Sequence, residues 1–329
     1  MVQGIQIVKK LPLDPFLAGI FFVLLLAGVF PHVASNDGIL PAKAMSTVAI
    51  MAIFFVQGLS LDPRHLVESA TDWRYHLLTQ AIIFLGYPVL TISLLKVYPW
   101  EFWGYIHAGI ILLAFLPTTI STALVFTGKA GGSTAMALVN LTIANFAGIL
   151  IVPLVMLSLD KDGQWLDSRH GEIFLSLFKL LVLPFLIGQL VRPSCSGWVK
   201  GHSNIIKVLS QSCILFILWN SFSNAFNNEL FKDADNMGIG KLALFLGLIF
   251  VLSRFLIWLC IRPLDTTKGT AVFFCGSQKT LAAGLPLATA TFGQDHHALG
   301  LILLPMLLYH PIQLAVDGIL AAQWKGRGE

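Results

Sequence analysis

The chain has 329 residues, of which 56% are hydrophobic and 12% charged, and its mean hydropathy is +0.79, far from the roughly 25% charged residues of a soluble domain. Its net charge of +4 is small and dispersed, with no long basic run, which excludes a nucleic-acid partner on composition. The longest polar connectors, Asp160 to Glu172 and Asn227 to Lys241, leave no room for a soluble domain, and Cys195, Cys213, Cys260 and Cys275 have neither metal-type spacing nor the look of a disulfide framework.

Ten apolar stretches follow in order, each near the roughly 20 residues that cross a hydrocarbon core. They fall near residues 15–31, 41–61, 77–97, 105–127, 131–158, 172–192, 204–226, 240–261, 269–292 and 297–323. Lys9-Lys10 before the first stretch and His32-Val33-Ala34 after it loosely imitate a signal peptide. The run continues directly into similar stretches, so it reads as a span. The second closes on Gln57-Gly58, where a residue could meet substrate. Tyr98, Trp100, Trp103 and Tyr105 mark the passage from the third to the fourth, and with Trp165 and Trp324 they read as an interfacial aromatic belt. The fourth stretch is interrupted by Leu116-Pro117-Thr118-Thr119-Ile120-Ser121-Thr122, and the ninth by Cys275-Gly276-Ser277-Gln278-Lys279-Thr280. The fifth ends Ile151-Val152-Pro153, and the tenth carries Leu304-Pro305 and His310-Pro311.

Backbone freed from helical hydrogen bonding is costly in lipid unless it lines a cavity or is buried in protein. A matched pair of interrupted spans is the sequence signature of a secondary transporter's binding site. Ten spans divide into five plus five, residues 1–160 and 161–329. An odd number per half inverts the second half, so each break becomes the fourth element of its repeat. The expected fold is therefore an all-α polytopic membrane protein of ten transmembrane helices with a 5+5 inverted repeat whose spans 4 and 9 are discontinuous. With the N-terminus inside, twelve Lys and Arg (residues 9, 10, 64, 74, 129, 192, 200, 207, 262, 268, 325 and 327) collect on the cytoplasmic side against six outside (43, 96, 161, 169, 232 and 241). This positive-inside bias places both termini in the cytoplasm, and the expected location is a bacterial inner (plasma) membrane.

Helices that begin at a break offer free N–H groups and a partial positive charge, which suit a carboxylate or sulfate, while helices that end there offer carbonyls, which suit a cation. Pro117, Thr119, Ser121, Thr122, Asn140, Asn145, Gly276, Ser277, Gln278, Lys279 and Thr280 are the candidate substrate- and ion-binding residues. Thr142, also nearby, is expected to bond back to its own helix. Lys279 stands out because an ammonium at mid-membrane costs about 2.5–3.5 kcal/mol on insertion scales and is kept where it pairs or works. It could be a fixed counter-charge for carbonyl ends, a proton-coupling group, or a direct partner of an anionic substrate. Secondary candidates are Gln57, His310, expected to pack or to bond a carbonyl opened by Pro311, and Asp317, which could face Lys279, a water path or the interface. Arg254 and Lys179 are expected to snorkel, and His107 to sit near the interface without a specific role.

The chain resembles the bile acid:sodium symporter (SBF-like) family, and within it the orphan branch whose vertebrate member is tied to calcium handling and glycosylation. The resemblance rests on Phe54 to Leu61, Pro117 to Gly132, Asn140 to Pro153, Phe274 to Leu281 with Gly284-Leu285-Pro286, and Leu304 to Pro311, in the family's order over nearly the whole chain. It implies a panel domain of spans 1, 2, 6 and 7 and a core domain of spans 3–5 and 8–10, in which the discontinuous spans 4 and 9 cross. It also implies organic-anion substrates, among them amphipathic lipid-like molecules, usually driven by two sodium ions. This chain departs from the sodium-coupled members where they bind the ion. Phe274 replaces a glutamate that serves both sodium sites, Thr122-Ala123 replaces a Ser-Asn pair, and Lys279 replaces an asparagine.

The expected function is secondary active transport of an organic anion by alternating access without the two-sodium mechanism. The coupling ion, sodium or proton, stays open, and no cofactor is implied. The alternative is a non-transporting membrane regulator, linked to calcium homeostasis, on the same fold. An integral-membrane enzyme is not expected, since the sequence offers neither a metal-ligand helix pair nor a Gly-x-Ser-x-Gly elbow in its support.

Overall fold

The computed structural model describes residues 15–60, 72–97, 105–159, 175–231, 236–293, 296 and 298–324, which are helical with no strand among them. Lys9, Lys10, Tyr98, Trp100, Trp103, Trp165, Asp160 to Glu172, the division at residue 160 and several of the counted loop charges lie outside the described residues.

In chain order the helices are α1 (Pro15–Val29), α2 (Pro31–Ala34), α3 (Ala42–Ser60), α4 (Trp73–Val97), α5 (Ile106–Phe115), α6 (Ile120–Lys129), α7 (Thr134–Leu159), α8 (Leu175–Val199), α9 (Ser203–Asn227), α10 (Asn236–Ile261), α11 (Thr266–Ser277), α12 (Leu281–Phe292) and α13 (Leu299–Trp324). Seven of them, α3, α4, α7, α8, α9, α10 and α13, are long and apolar enough to cross a membrane, and α5 with α6, bent by 54°, makes an eighth if the two are one span. Outward-facing large apolar residues such as Leu25, Leu85, Leu190 and Val251 are more than 60% exposed, as expected of surfaces that meet lipid.

Both sequence interruptions end a helix. α5 stops at Phe115 and α6 restarts at Ile120, because Pro117 has no N–H to donate and disfavours helix in the residue before it. α11 stops at Ser277 and α12 restarts at Leu281. Other prolines do not break their helices: α13 runs unbroken through Pro305 and Pro311, and α7 through Pro153. Two π turns, Ile82–Gly86 in α4 and Phe178–Val182 in α8, have no evident signal in the sequence.

Helices α1, α3, α8 and α9 pack together, α8 on α3 and α9 on both α1 and α3. Small residues set the α3–α8 separation: a Cβ at Gly58 would stand 2.2 Å from Phe185 O, and one at Gly188 2.3 Å from Phe55 O. The Gln189 amide closes the seam by donating to Gly58 O at 2.7 Å. Gly58→Ala therefore lowers thermal stability in detergent, by the about 1–3 kcal/mol typical of overpacking. Gly197→Ala in the same α8, with nothing within 4 Å of its added carbon, leaves the melting temperature unchanged.

The short α2 packs on α9 and α1, and the other helices form a second group, in which α5 lies against α13, and α11 against α4, α6, α7 and α10. Here Gly109 allows the closest approach, since its Cβ would meet Ile302 O at 2.2 Å. Helix α9 also touches α12 and α13 of this group, with Gly300 against Ala225. At the end where α6 turns into α7, Gly131 takes a φ of +75°, Ser133 N donates to Thr267 O at 3.0 Å, and Lys268 pairs with Asp72 at 2.7 Å.

Candidate functional site

The two breaks touch, and several of the backbone groups they free have partners within the protein. Thr280 N donates to Pro117 O at 3.0 Å, and the Asn145 amide donates to Thr118 O at 2.9 Å. Gln313, from α13, brackets the second break by accepting from Lys279 N at 2.9 Å and donating to Lys279 O at 2.7 Å. Its amide also meets His310 Nδ1 at 2.9 Å. Gly148 and Gly284 make room for this meeting: a Cβ would stand 2.7 Å from Pro117 Cγ at the first and 2.6 Å from Leu116 Cδ1 at the second.

Lys279 is 1% exposed. Its ammonium donates to Ala114 O at 2.8 Å, Leu116 O at 2.9 Å and Ile83 O at 3.2 Å. An ammonium has three donors and no acceptor, so three carbonyls satisfy it completely. Two of them belong to the end of α5, where carbonyls lack intrahelical partners. The third lies in the π turn of α4, whose wider step interrupts the regular ladder. The Tyr87 ring covers the ammonium at 4.2 Å, within cation–π range.

The two helices that begin at the breaks are finished differently. Thr280 caps α12 by accepting from Ala283 N at 3.1 Å. Thr119 stands at the same position of α6 but makes no cap; its hydroxyl is turned toward Gln278 Oε1, to which it donates. Thr122 donates to the same oxygen at 2.7 Å and also contacts Thr119 Oγ1. The first-turn N–H groups of α6 are thus left without a side-chain acceptor, at the positive end of that helix. Thr118 and Ser277, each one residue ahead of this cluster, hold fully buried hydroxyls with no hydrogen-bond partner.

Behind Gln278 lies a buried ion pair. Its Nε2 donates to Asp317 Oδ2 at 3.3 Å, and Arg254 grips both Asp317 oxygens, through Nε and Nη2, at 2.8 Å each. Arg254 also donates to the Tyr309 hydroxyl at 2.9 Å and lies over the Phe250 ring at 3.5 Å. The expectation that Arg254 snorkels is therefore wrong: it is 6% exposed and its partner is 0% exposed. The pairing lies 63 residues away in sequence, which no local pattern displays. Asp317 accordingly faces Arg254 and Gln278 rather than Lys279 or an interface.

Other candidates fall elsewhere. Asn140 is buried, and its amide oxygen meets His76 Nδ1 at 3.1 Å and Gln80 Nε2 at 3.4 Å. Thr142 bonds back to Leu138 O at 2.8 Å, as expected. Ser121 is exposed and Gln57 half-buried. Gly276 is close-packed against Ile82, whose Cγ2 would stand 2.8 Å from an added Cβ. Phe274 is fully buried among the rings of Phe126, Phe273 and Trp324, with centroids 6.1, 5.2 and 5.7 Å away. Reading the sequence missed Gln313, Gln80, His76 and the π turn. The signal that could have exposed the ion pair is the presence of opposite charges, Arg254 and Asp317, in two different apolar stretches.

A family model described as the SBF-like CPA transporter family matches residues 14–326. YfeH of Escherichia coli K12 is 30% identical over 329 residues, covering 96% of this chain and 94% of its own. Sodium/bile acid cotransporter 7 of Rattus norvegicus is 28% identical over 328 residues, covering 96% and 93%. Its Mus musculus counterpart is 29% identical over 318 residues, covering 93% and 90%.

Proposed function

From the premise that this chain belongs to the SBF-like CPA transporter family, and so is an integral multi-pass membrane transporter and not an enzyme, we propose that it carries a small organic anion or amphipathic lipid-like anion by alternating access, with Lys279 as a tethered cation in place of bound sodium. The observation that carries this reading is the ammonium of Lys279 on three backbone carbonyls. A carbonyl end of a broken helix is where a coupling cation would sit. In this protein that end already has a cation, and a covalent one.

The residues present do not fit a sodium ion held in the family's manner. Sodium needs several oxygen ligands, and the position of the family's glutamate holds Phe274, packed among aromatic rings. No step of the cycle is therefore routed through sodium. What remains for a ligand is the uncapped start of α6, which favours negative charge. Thr119, Ser121, Thr122 and Gln278 would meet the substrate there, whereas Pro117, Asn145, Gly276, Lys279, Thr280 and Gln313 hold the two breaks together.

The proposed architecture completes the count of spans. With α1, the α5–α6 pair and the α11–α12 pair each taken as one span, the chain has ten, in the 5+5 inverted arrangement with broken spans 4 and 9 crossing. The packing of α1, α3, α8 and α9 supports a panel of spans 1, 2, 6 and 7 that moves against a core of the rest. Lys268, Asp72, Arg74, Lys129 and Arg262 stand near helix ends assigned to one side, supporting the cytoplasmic assignment of that side and of both termini. Two breaks that meet, with the start of α6 left open to an anion, favour a carrier over a non-transporting regulator.

The test is a melting series of the purified protein in sodium, potassium and choline chloride, followed by anionic metabolites and bile acids in each salt. A ligand raises stability by RT ln(1 + [L]/Kd). The expected result is stabilisation by an anion that is the same in all three salts. Anion binding that appears only in sodium, or a sodium-specific shift without anion, overturns the tethered-cation reading.

A further inference from the structure

The hydrogen-bond chain from Arg254 to the α6 break has a fixed direction, because one end of it has no proton to give. Asp317 is held as a carboxylate by both arms of Arg254, so it can only accept. The Gln278 side chain must therefore turn its NH₂ toward Asp317 and its Oε1 toward Thr119 and Thr122. Oε1 is also an acceptor only. Three oxygens, Gln278 Oε1, Thr119 Oγ1 and Thr122 Oγ1, are then in mutual contact. Only the two hydroxyls bring protons, one each. Three contacts share two protons, so the cluster has none to offer outward. What it presents is lone pairs.

We propose that Asp317, held by Arg254, is a positioning residue for substrate specificity: through Gln278 it makes Thr119 and Thr122 pure acceptors, so that the site selects organic anions bearing a hydroxyl or amino donor beside the charged group. This rests on the reading of the α6 start as the anion site. Thr119 and Thr122 stand at the cap and in the first turn of that helix, so an anion on the first-turn N–H groups places its neighbouring substituent against their oxygens. A 2-hydroxy or 2-amino acid satisfies both halves of such a site. A bare carboxylate leaves the lone pairs unmet, and an ether oxygen in place of the hydroxyl opposes them.

The experiment compares probes matched in net charge that differ in the donor: mandelate with O-methylmandelate, malate with O-methylmalate, and phenylglycine with its N,N,N-trimethyl betaine, each titrated by thermal shift against the purified full chain. The hydroxy or amino member is expected to bind about tenfold more tightly than its donor-less partner, the ratio that one well-placed hydrogen bond supplies. Thr122→Val is expected to bring both members to the weaker affinity, and Thr122→Ser to keep the preference. Asp317→Asn, which lets the Gln278 amide turn over, is expected to erase the preference; the Thr122 variants leave the ion pair untouched and test the same point if that protein does not fold. Equal affinities within every pair for wild type overturn this proposal while leaving anion transport standing. Failure of all the probes to bind overturns it together with the anion site at α6, and a sodium-specific shift that disappears in Thr122→Val overturns it by showing that the oxygens hold an ion.

Discussion

Lys279→Met is expected to abolish transport and to lower stability by several kcal/mol, read as a large fall in melting temperature in detergent. Methionine preserves length and apolar stem but supplies no donor. Ala114 O, Leu116 O and Ile83 O would each lose a charged partner at a position where the side chain is 1% exposed. A buried acceptor left unpaired costs about 1–3 kcal/mol, and three such losses together exceed the cost of keeping the charge buried. Lys279→Ala adds a cavity beneath the Tyr87 ring, which now lies 4.2 Å from the ammonium. Lys279→Arg restores the charge but not the geometry, because a planar guanidinium fork cannot direct its donors at three carbonyls converging on one point. It is expected to recover part of the stability and little of the activity. Wild-type behaviour of Lys279→Ala would end the tethered-cation reading.

What could be read from the sequence follows what each feature depends on. The two breaks were legible because Pro117 and the polar run from Ser277 to Thr280 act on their own backbone, and both stop a helix within a few residues of the expected place. Lys279 was legible as a charge without a nearby opposite in sequence, although not the identity of its acceptors. One of these is Ile83 O, in a π turn built from an ordinary apolar run, Ile-Ile-Phe-Leu-Gly, whose widening has no compositional mark. The tenth stretch reads as one span despite Pro305 and Pro311, and α13 passes through both. Neighbouring helices evidently hold that backbone in place, and Gln313 and His310, one turn on, bond each other. Arg254 was misread for a related reason. Snorkelling is the outcome for a lone basic residue in a span, and the partner that prevents it is brought in only by the packing of α10 against α13.

Removing either member of that pair is the second large effect to expect. Arg254→Met leaves Asp317 as an unpaired carboxylate at 0% exposure, and Asp317→Leu leaves the guanidinium buried over the Phe250 ring. Breaking a buried pair from one side typically costs about 3–5 kcal/mol, whereas replacing both partners by apolar residues of similar size is often neutral. The double variant Arg254→Met with Asp317→Leu should therefore be more stable than either single variant, by a margin well beyond additivity. It should not reach wild type, because the Tyr309 hydroxyl and Gln278 Nε2 lose a partner when both charges go. This shortfall separates two roles for the pair. If its contribution were confined to holding α10 to α13, the double variant would regain both stability and ligand binding. If the pair also orients Gln278, the double variant regains most of the stability but not the binding preference, since nothing then decides which way the amide faces Thr119 and Thr122. Melting curves of the four proteins, repeated with the hydroxy acid and its methyl ether, measure both quantities on the same samples. Additive single losses with no rescue in the double variant would show instead that each residue acts through separate contacts.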